Sequence, residues 1–145
     1  MAVQSTSRPT GSRPGIAVAL HLALRLLAVL VFAQAIFAGL FLDGNGAWRQ
    51  WHAINGMLLI PLLALLAVVL AVVLWRSGGP GWIGLASLAL LLAIVVQNAM
   101  GQSGRVAVHV PLGVAILGLV GALLGHTRNL TRASTDPSTP SGKLR

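Results

Sequence analysis

The sequence predicts an all-α membrane protein: a four-transmembrane, up-down-up-down helix bundle built from two parallel helical-hairpin repeats. Hydrophobic residues make up 56% of the chain and charged residues 8%, whereas about a quarter of the residues in a soluble domain are charged. Four apolar stretches, at about 16–42, 52–75, 82–101 and 106–126, reach or approach the length needed to cross a bilayer. Because the connections between them are short, consecutive helices are expected to be antiparallel neighbours.

The two ends of the chain are polar and predict its orientation. Residues 1–15 and 127–145 are rich in Ser, Thr, Pro and Arg, and we expect both to be disordered segments flanking a transmembrane domain at 16–126. Basic residues favour the cytoplasmic side of a membrane. We therefore predict a multi-pass protein of the cell membrane with both termini in the cytoplasm. Arg49 and Arg105 then lie outside, and the basic residues inside are Arg8, Arg13, Arg25, Arg76, Arg128, Arg132, Lys143 and Arg145.

Several kinds of chemistry are disfavoured by what the chain lacks. It contains no cysteine, which excludes disulfides, iron–sulfur clusters and thiolate metal sites. Its two acids, Asp43 and Asp136, fall in a loop and in the tail, so no carboxylate within the membrane serves a proton-coupled transporter or a di-iron site. The net charge of +8 is spread over helix ends and tails, which predicts membrane orientation and not nucleic-acid binding. The sequence leans against an enzyme without deciding the question.

Two histidines carry the pattern that points to chemistry. His52 and His109 each lie near the start of an apolar stretch, and a glycine follows each of them four positions later. The order Gln, Gly, Arg, His, Gly occurs in both halves of the chain. The first set is Gln34, Gly39, Arg49, His52 and Gly56, and the second is Gln97, Gly101, Arg105, His109 and Gly113. Two parallel hairpins related by an axis along the membrane normal would bring the two histidines opposite each other at similar depth.

A histidine pair facing across a bundle suits a flat macrocycle whose iron takes one imidazole on each face. We therefore expect heme b as the cofactor, with His52 and His109 as its axial ligands near the extracytoplasmic face. Gln34 and Gln97 are expected to form interhelical hydrogen bonds or to orient the imidazole N–H groups.

Glycines and arginines around the histidines have expected roles as well. Gly56 and Gly113, one turn deeper than the histidines, would leave room for the face of the macrocycle. Arg49 and Arg105, one turn nearer to water, would pair with two anionic propionates. A second pair toward the inner end, His21 and His126, is the weaker candidate for another heme.

The distance along the sequence from each histidine to the far end of its span does not agree with two histidines at equal depth in the membrane. His52 precedes Arg76 by 24 positions, whereas His109 precedes Arg128 by 19. The histidines are level only if the second helix tilts, kinks at Pro61 or extends further inward.

At these residues the chain resembles one four-helix half of heme A synthase, over about residues 18–126. The stretches 97–101 (QNAMG) and 106–112 (VAVHVPL) resemble the family's signature at the entry to the fourth helix, and 51–56 (WHAING) resembles the histidine region of the second helix. The chain differs at Arg49, where the family has glutamate, and at Ala53, where it has arginine. The resemblance therefore implies a bundle that holds heme without the family's heme oxidation. The stretch 34–39 (QAIFAG) also resembles small four-span bacterial membrane proteins similar to b-type cytochromes.

Two functions remain open at this point. The first is a b-type heme protein of the membrane, in electron transfer or heme handling, with a quinone or a cytochrome as redox partner. The alternative is a cofactor-free small membrane subunit or assembly partner of a larger complex, because plain Ala, Leu and Val fill every apolar stretch. The oligomeric state is not predicted.

Overall fold

A computed structural model of the protein describes residues 12–133, and this part of the chain is helical throughout apart from short connections. The described residues confirm the all-helical class. Four of the segments are long and apolar enough to cross a membrane, which supports the expected bilayer environment. The helices are α1 (Ser12–Leu42), α2 (Ala47–Ile54), α3 (Ile60–Arg76), α4 (Gly81–Gln102) and α5 (Val106–Ala133). A π-helical turn, Asn55–Leu59, joins α2 to α3, and together these three elements form the second span.

The helices extend further at several ends than the apolar stretches do. α1 begins at Ser12 where the apolar stretch was expected to start at about 16, and the second span begins at Ala47 where it was expected at about 52. α5 continues to Ala133, beyond the expected end at about 126. Once a helix is nucleated, each further residue adds a hydrogen bond, so polar residues can prolong it past the apolar core. The expected disorder of 1–11 and 134–145 lies outside the described residues.

Each of the three connections between the described spans contains one glycine with positive φ: Gly44 at 96°, Gly78 at 87° and Gly104 at 70°. In each case the next residue donates its N–H to a carbonyl five positions earlier, as Asn45 does to Leu40. This is the Schellman arrangement, in which a glycine in the left-handed region closes a helix C-terminus. The same ending at all three turns keeps the connections to four residues or fewer.

The π-helical turn explains how the second span accommodates Pro61. Proline has no N–H, so the carbonyl of Met57 cannot receive its ordinary helical bond. Just before the proline the helix widens, and Ile60 donates to the carbonyl of Asn55, five positions back. Pro61 then lies in the first turn of α3, where a missing N–H is tolerated. The expected kink at Pro61 therefore takes the form of a wider turn.

Packing contacts arrange the spans in a closed ring. α1 packs against the second span and against α5, and α4 packs against α3 and α5. At one end of the ring, which we call the terminal end, Arg13 Nε donates to the carbonyl of Ser77 at 2.5 Å. His21 and Thr127 also meet there, and the ring of Trp82 lies edge-on to another histidine, His126.

Buried apolar side chains are concentrated toward the terminal end, in what we call the packed half of the bundle. In α1 they lie between Ala17 and Leu27, and in α5 between Ile116 and Leu123. In α3 three of the buried positions are small, and Ala64, Ala67 and Ala71 have no exposed surface. Small side chains let membrane helices approach closely where lipid offers no hydrophobic drive. The opposite part of the bundle, which we call the histidine half, contains the candidate site.

Candidate functional site

His52 of α2 and His109 of α5 meet in the histidine half. Their ring centroids are 6.5 Å apart and the ring planes are inclined by 63°. The second span and α5 do not form one of the main packing interfaces among the described helices. The two rings therefore approach each other across the interior of the bundle, as the repeated sequence pattern predicts. The unequal spacings of 24 and 19 positions do not keep them apart.

The same kind of hydrogen bond orients both imidazoles. Nδ1 of His52 donates to the backbone carbonyl of Gln34 at 3.2 Å, and Nδ1 of His109 donates to the backbone carbonyl of Gln97 at 2.9 Å. A carbonyl can only accept, so these bonds assign the proton to Nδ1 in each ring. The Nε2 lone pair is then the one available to a metal, and the carbonyl orients the ring as a supporting partner of a ligating histidine does.

The side chain of Gln34 fastens α1 to the second span. Its Nε2 donates to the carbonyl of His52 at 2.9 Å and lies 3.3 Å from Nε2 of the His52 ring. Its Oε1 accepts from Nδ2 of Asn55 at 2.9 Å, and Asn55 also donates to the carbonyl of Leu30 at 2.8 Å. These contacts satisfy the expectation that Gln34 forms interhelical hydrogen bonds. The amide group also occupies the lone pair that a metal would use, so it would have to turn aside for a metal to bind.

The two glycines predicted beside the ring lie under the two glutamine amides. A Cβ atom at Gly56 would come within 2.5 Å of Gln34 Nε2, and one at Gly113 within 2.9 Å of Gln97 Nε2. Each glycine therefore makes room for a glutamine amide, and both also line the cavity described below. The approach of a macrocycle at these glycines stays a prediction.

The two imidazoles of the site have different surroundings. The ring of Phe41 lies edge-on to His52 with 5.3 Å between centroids. His109 instead rests against the backbone of Gly101, where a Cβ would lie 2.8 Å from two ring atoms. Asn98 links α4 to the second span, because its Nδ2 donates to the carbonyl of Gly56 at 2.9 Å.

A cavity of about 360 Å³ adjoins the histidines. Both imidazoles line it, and α1 and α5 contribute most of the remaining wall, which is largely apolar and includes the small residues Ala35, Ala38 and Gly39. Ligand cavities commonly measure about 300–1,000 Å³ and combine apolar walls with few polar groups. The cavity is thus at the small end of the range for an organic ligand.

The two arginines predicted to meet propionates are not part of this cavity wall. Arg49 and Arg105 are both exposed. Arg105 lies in the connection before α5, so helical spacing does not fix the direction of its side chain. The structure therefore brings together the histidines, glutamines and glycines of the predicted site and leaves the arginines at its periphery.

The residues present fit a metal that arrives with most of its ligands. Among the described residues no group of three or more His, Asp or Glu side chains could hold a bare ion. His52 and His109 would be the residues that hold the iron of a macrocycle, since their rings are the nitrogen donors that meet at this site. Gln97 Oε1 is buried without a hydrogen-bond partner in the described part of the chain, so the site retains an unused polar atom.

The repeated sequence pattern indicated the side chains of the site but not their backbone partners. The acceptors of the Nδ1 protons are backbone carbonyls, which every residue has. Asn55 and Asn98 were expected to form interhelical hydrogen bonds as the glutamines do, and they form the cross-links. Their acceptors were not predictable, because the two asparagines occupy different positions in the two repeats.

Comparisons of the chain with models of protein families, with curated proteins and with solved structures find no match. A functional assignment consequently depends on the histidine pair, its hydrogen bonds and the adjoining cavity.

Proposed function

We propose that this protein is an integral membrane heme protein that holds one heme b between His52 and His109 near the extracytoplasmic face, for electron transfer or heme handling. The observation that carries the proposal is the pair of imidazoles whose centroids are 6.5 Å apart. Each is oriented by a backbone carbonyl through Nδ1. A chance contact of two polar rings does not require this matched orientation.

In this proposal the chain positions the ligands and keeps water away. The carbonyls of Gln34 and Gln97 retain the Nδ1 protons, which leaves Nε2 of each ring unprotonated. His52 and His109 would hold the heme, which would supply a one-electron couple when bound, and two histidine ligands would favour electron transfer over oxygen chemistry. The apolar cavity wall excludes water. A quinone or a cytochrome is the expected redox partner.

The up-down-up-down order and the two parallel hairpin repeats are part of the same proposal. The contacts that join α1 to Ser77 and to Thr127, together with the three matched glycine turns, support the antiparallel alternation. The matching hydrogen bonds from His52 to the carbonyl of Gln34 and from His109 to the carbonyl of Gln97 support the repeat. Among the described residues, the excess of Arg at the terminal end supports cytoplasmic termini, and the histidines would then lie toward the extracytoplasmic face. There Arg49 and Arg105 have side chains long enough to serve the propionates.

The resemblance to one half of heme A synthase is consistent with a heme-holding role. Arg49 stands where that family has a glutamate before the second-helix histidine, so we propose heme binding without the family's oxidation chemistry.

An optical spectrum tests the proposal directly. Full-length protein purified in mild detergent from heme-supplied cells should show a Soret band and, on reduction, resolved α and β bands. His52→Ala and His109→Ala should each reduce heme content at least tenfold, because loss of one axial nitrogen removes a metal bond and exposes the cavity. His126→Ala is the matched control, since this exposed histidine lies at the terminal end, and it should retain the spectrum. Colourless wild-type protein, or equal loss in all three variants, would refute the proposal.

A second function is favoured by one specific contact. The Gln34 amide is 3.3 Å from Nε2 of His52, so the imidazole of the first repeat is fully hydrogen-bonded without any ligand. A cofactor-free subunit or assembly partner of a larger membrane complex would use the same network to fasten α1 to the second span. In that case the double variant His52→Ala/His109→Ala would still co-purify with its complex and support its activity, and the wild type would carry no heme.

A further inference from the structure

A basic groove lies between α1 and α5 at the terminal end, far along both helices from the histidine pair. Its volume is about 500 Å³, and its wall includes His21, Arg25, Arg128 and Arg132 together with the apolar side chains Val18 and Leu22. Neither the proposed heme site nor the ring packing requires these arginines to share one groove.

A buried hydrogen bond joins the two helices that form this groove. Nδ1 of His21 and Oγ1 of Thr127 are 2.8 Å apart across the interface of α1 and α5, and Thr127 also donates to the carbonyl of Leu123 at 3.0 Å. Thr127 is fully buried. The bond fixes the relative height of the two helices. Arg25 follows His21 by one helical turn, and Arg128 follows Thr127 directly, so two guanidinium groups are brought to one groove from different helices.

Among the described residues, the charged side chains that line the groove are those of arginines. Within residues 12–133 the only carboxylate is that of Asp43, which lies in the connection between α1 and α2 at the opposite end of the ring. Guanidinium groups in a concave site favour phosphate, because their planar fork matches two phosphate oxygens. The groove therefore fits an anion of the phosphate class.

We propose that this groove binds a phosphate group, presented by the headgroup of an anionic phospholipid. Two features favour a lipid over a soluble phosphate. The groove is formed on helices that are apolar enough to cross a membrane, and Val18 and Leu22 are about half exposed beside the arginines, at 44% and 50%. A basic pocket between membrane helices, with an apolar wall for an acyl chain, is the arrangement that recognises anionic headgroups. This site is independent of heme binding.

The test measures thermal unfolding of the full-length protein in neutral detergent, titrated with phosphatidylglycerol, with phosphatidylcholine or with inorganic phosphate. Phosphatidylglycerol should raise the unfolding midpoint of the wild type well beyond the effect of phosphatidylcholine, because only the first has a net negative headgroup. Arg25→Gln/Arg128→Gln should raise the apparent dissociation constant for phosphatidylglycerol by about tenfold or more. Arg25→Lys/Arg128→Lys should retain part of the response, which excludes a folding defect as the cause.

The matched control is Arg13→Gln/Arg76→Gln, which removes the same charge at the same end but outside the groove. Each variant is compared with its own lipid-free midpoint, and the control should respond to phosphatidylglycerol as the wild type does. An equal loss in the control, or equal responses to the two lipids, would overturn the proposal. Saturation by inorganic phosphate alone, with no further gain from lipid, would overturn the lipid assignment in favour of a soluble phosphate.

Discussion

The packed half and the histidine half are formed by the same four spans, but the side chains that fill their interiors differ. In the packed half, side chains such as Leu20, Leu24 and Leu27 are completely buried. In the histidine half, the interior consists of two half-buried imidazoles, an amide network and a cavity of about 360 Å³. The difference indicates that the interior of the packed half is filled by apolar side chains, whereas the interior of the histidine half contains polar groups and a cavity.

Buried polar atoms distinguish the halves in the same way. Among the described residues, three buried side-chain atoms have no hydrogen-bond partner: Asn55 Oδ1, Gln97 Oε1 and Ser87 Oγ. Two of these belong to the network around the histidines. A buried polar atom without a partner costs about 1–3 kcal/mol, so the histidine half is the less optimised part of the fold. Functional sites commonly retain such unused polar atoms.

The largest expected effect is a loss of packing in the packed half. Leu24→Ala removes a side chain with no exposed surface and should reduce the free energy of unfolding by about 1–3 kcal/mol, since the cavity term remains although lipid replaces water outside the bundle. Leu26→Ala is the control on the same helix, because Leu26 is 59% exposed, and it should change stability little. Reversible unfolding in mild detergent measures both variants. Equal effects would mean that the buried position of Leu24 in the packed half contributes no more to stability than an exposed position on the same helix.

A smaller effect should separate the two repeats within the histidine half. Gly101→Ala would put a Cβ 2.8 Å from the ring of His109 and displace the imidazole from the carbonyl of Gln97. We expect a net loss of about 1 kcal/mol, because a ring N–H left without a partner costs about 1–3 kcal/mol and the gain in helix propensity is about 1 kcal/mol. If His109 holds heme as proposed, the heme spectrum should also weaken.

The control for this change is the corresponding residue of the first repeat. A Cβ at Gly39 meets no atom within 4 Å, so Gly39→Ala should be neutral or stabilising by up to about 1 kcal/mol. The unfolding midpoint and the heme content per protein decide between these outcomes. If the two alanine variants shift both quantities alike, the contact between Gly101 and His109 does not position the ring.

The smallest effect concerns the polar pair of the packed half. A double-mutant cycle with His21→Ala and Thr127→Val should give a coupling free energy of about 0.6 kcal/mol, the usual size for a hydrogen bond between membrane helices. Urea or detergent-induced unfolding of the four proteins measures it. A coupling near zero would mean that the 2.8 Å contact does not fasten α1 to α5.

The sequence was sufficient for the spans and for the histidine pair, for identifiable physical reasons. Long apolar stretches have few structural alternatives in a bilayer, and the matched spacing of His52 and His109 made their meeting predictable. The extension of α5 to Ala133 was not predictable, because its last residues are polar and hydropathy does not distinguish a polar helix end from a tail. The spacing of Arg105 from His109 could not predict its direction, because Arg105 precedes the helix.

The ring of helices has one neighbouring pair, α1 and α5, that no short connection joins among the described residues. Every other neighbouring pair is tied by a turn of four residues or fewer. The same two helices form most of the cavity wall at the histidine end, while their firm contact lies at the other end, where His21 meets Thr127. The cavity therefore borders the one pair of neighbouring helices that can move apart beside the imidazoles without pulling on a short connection.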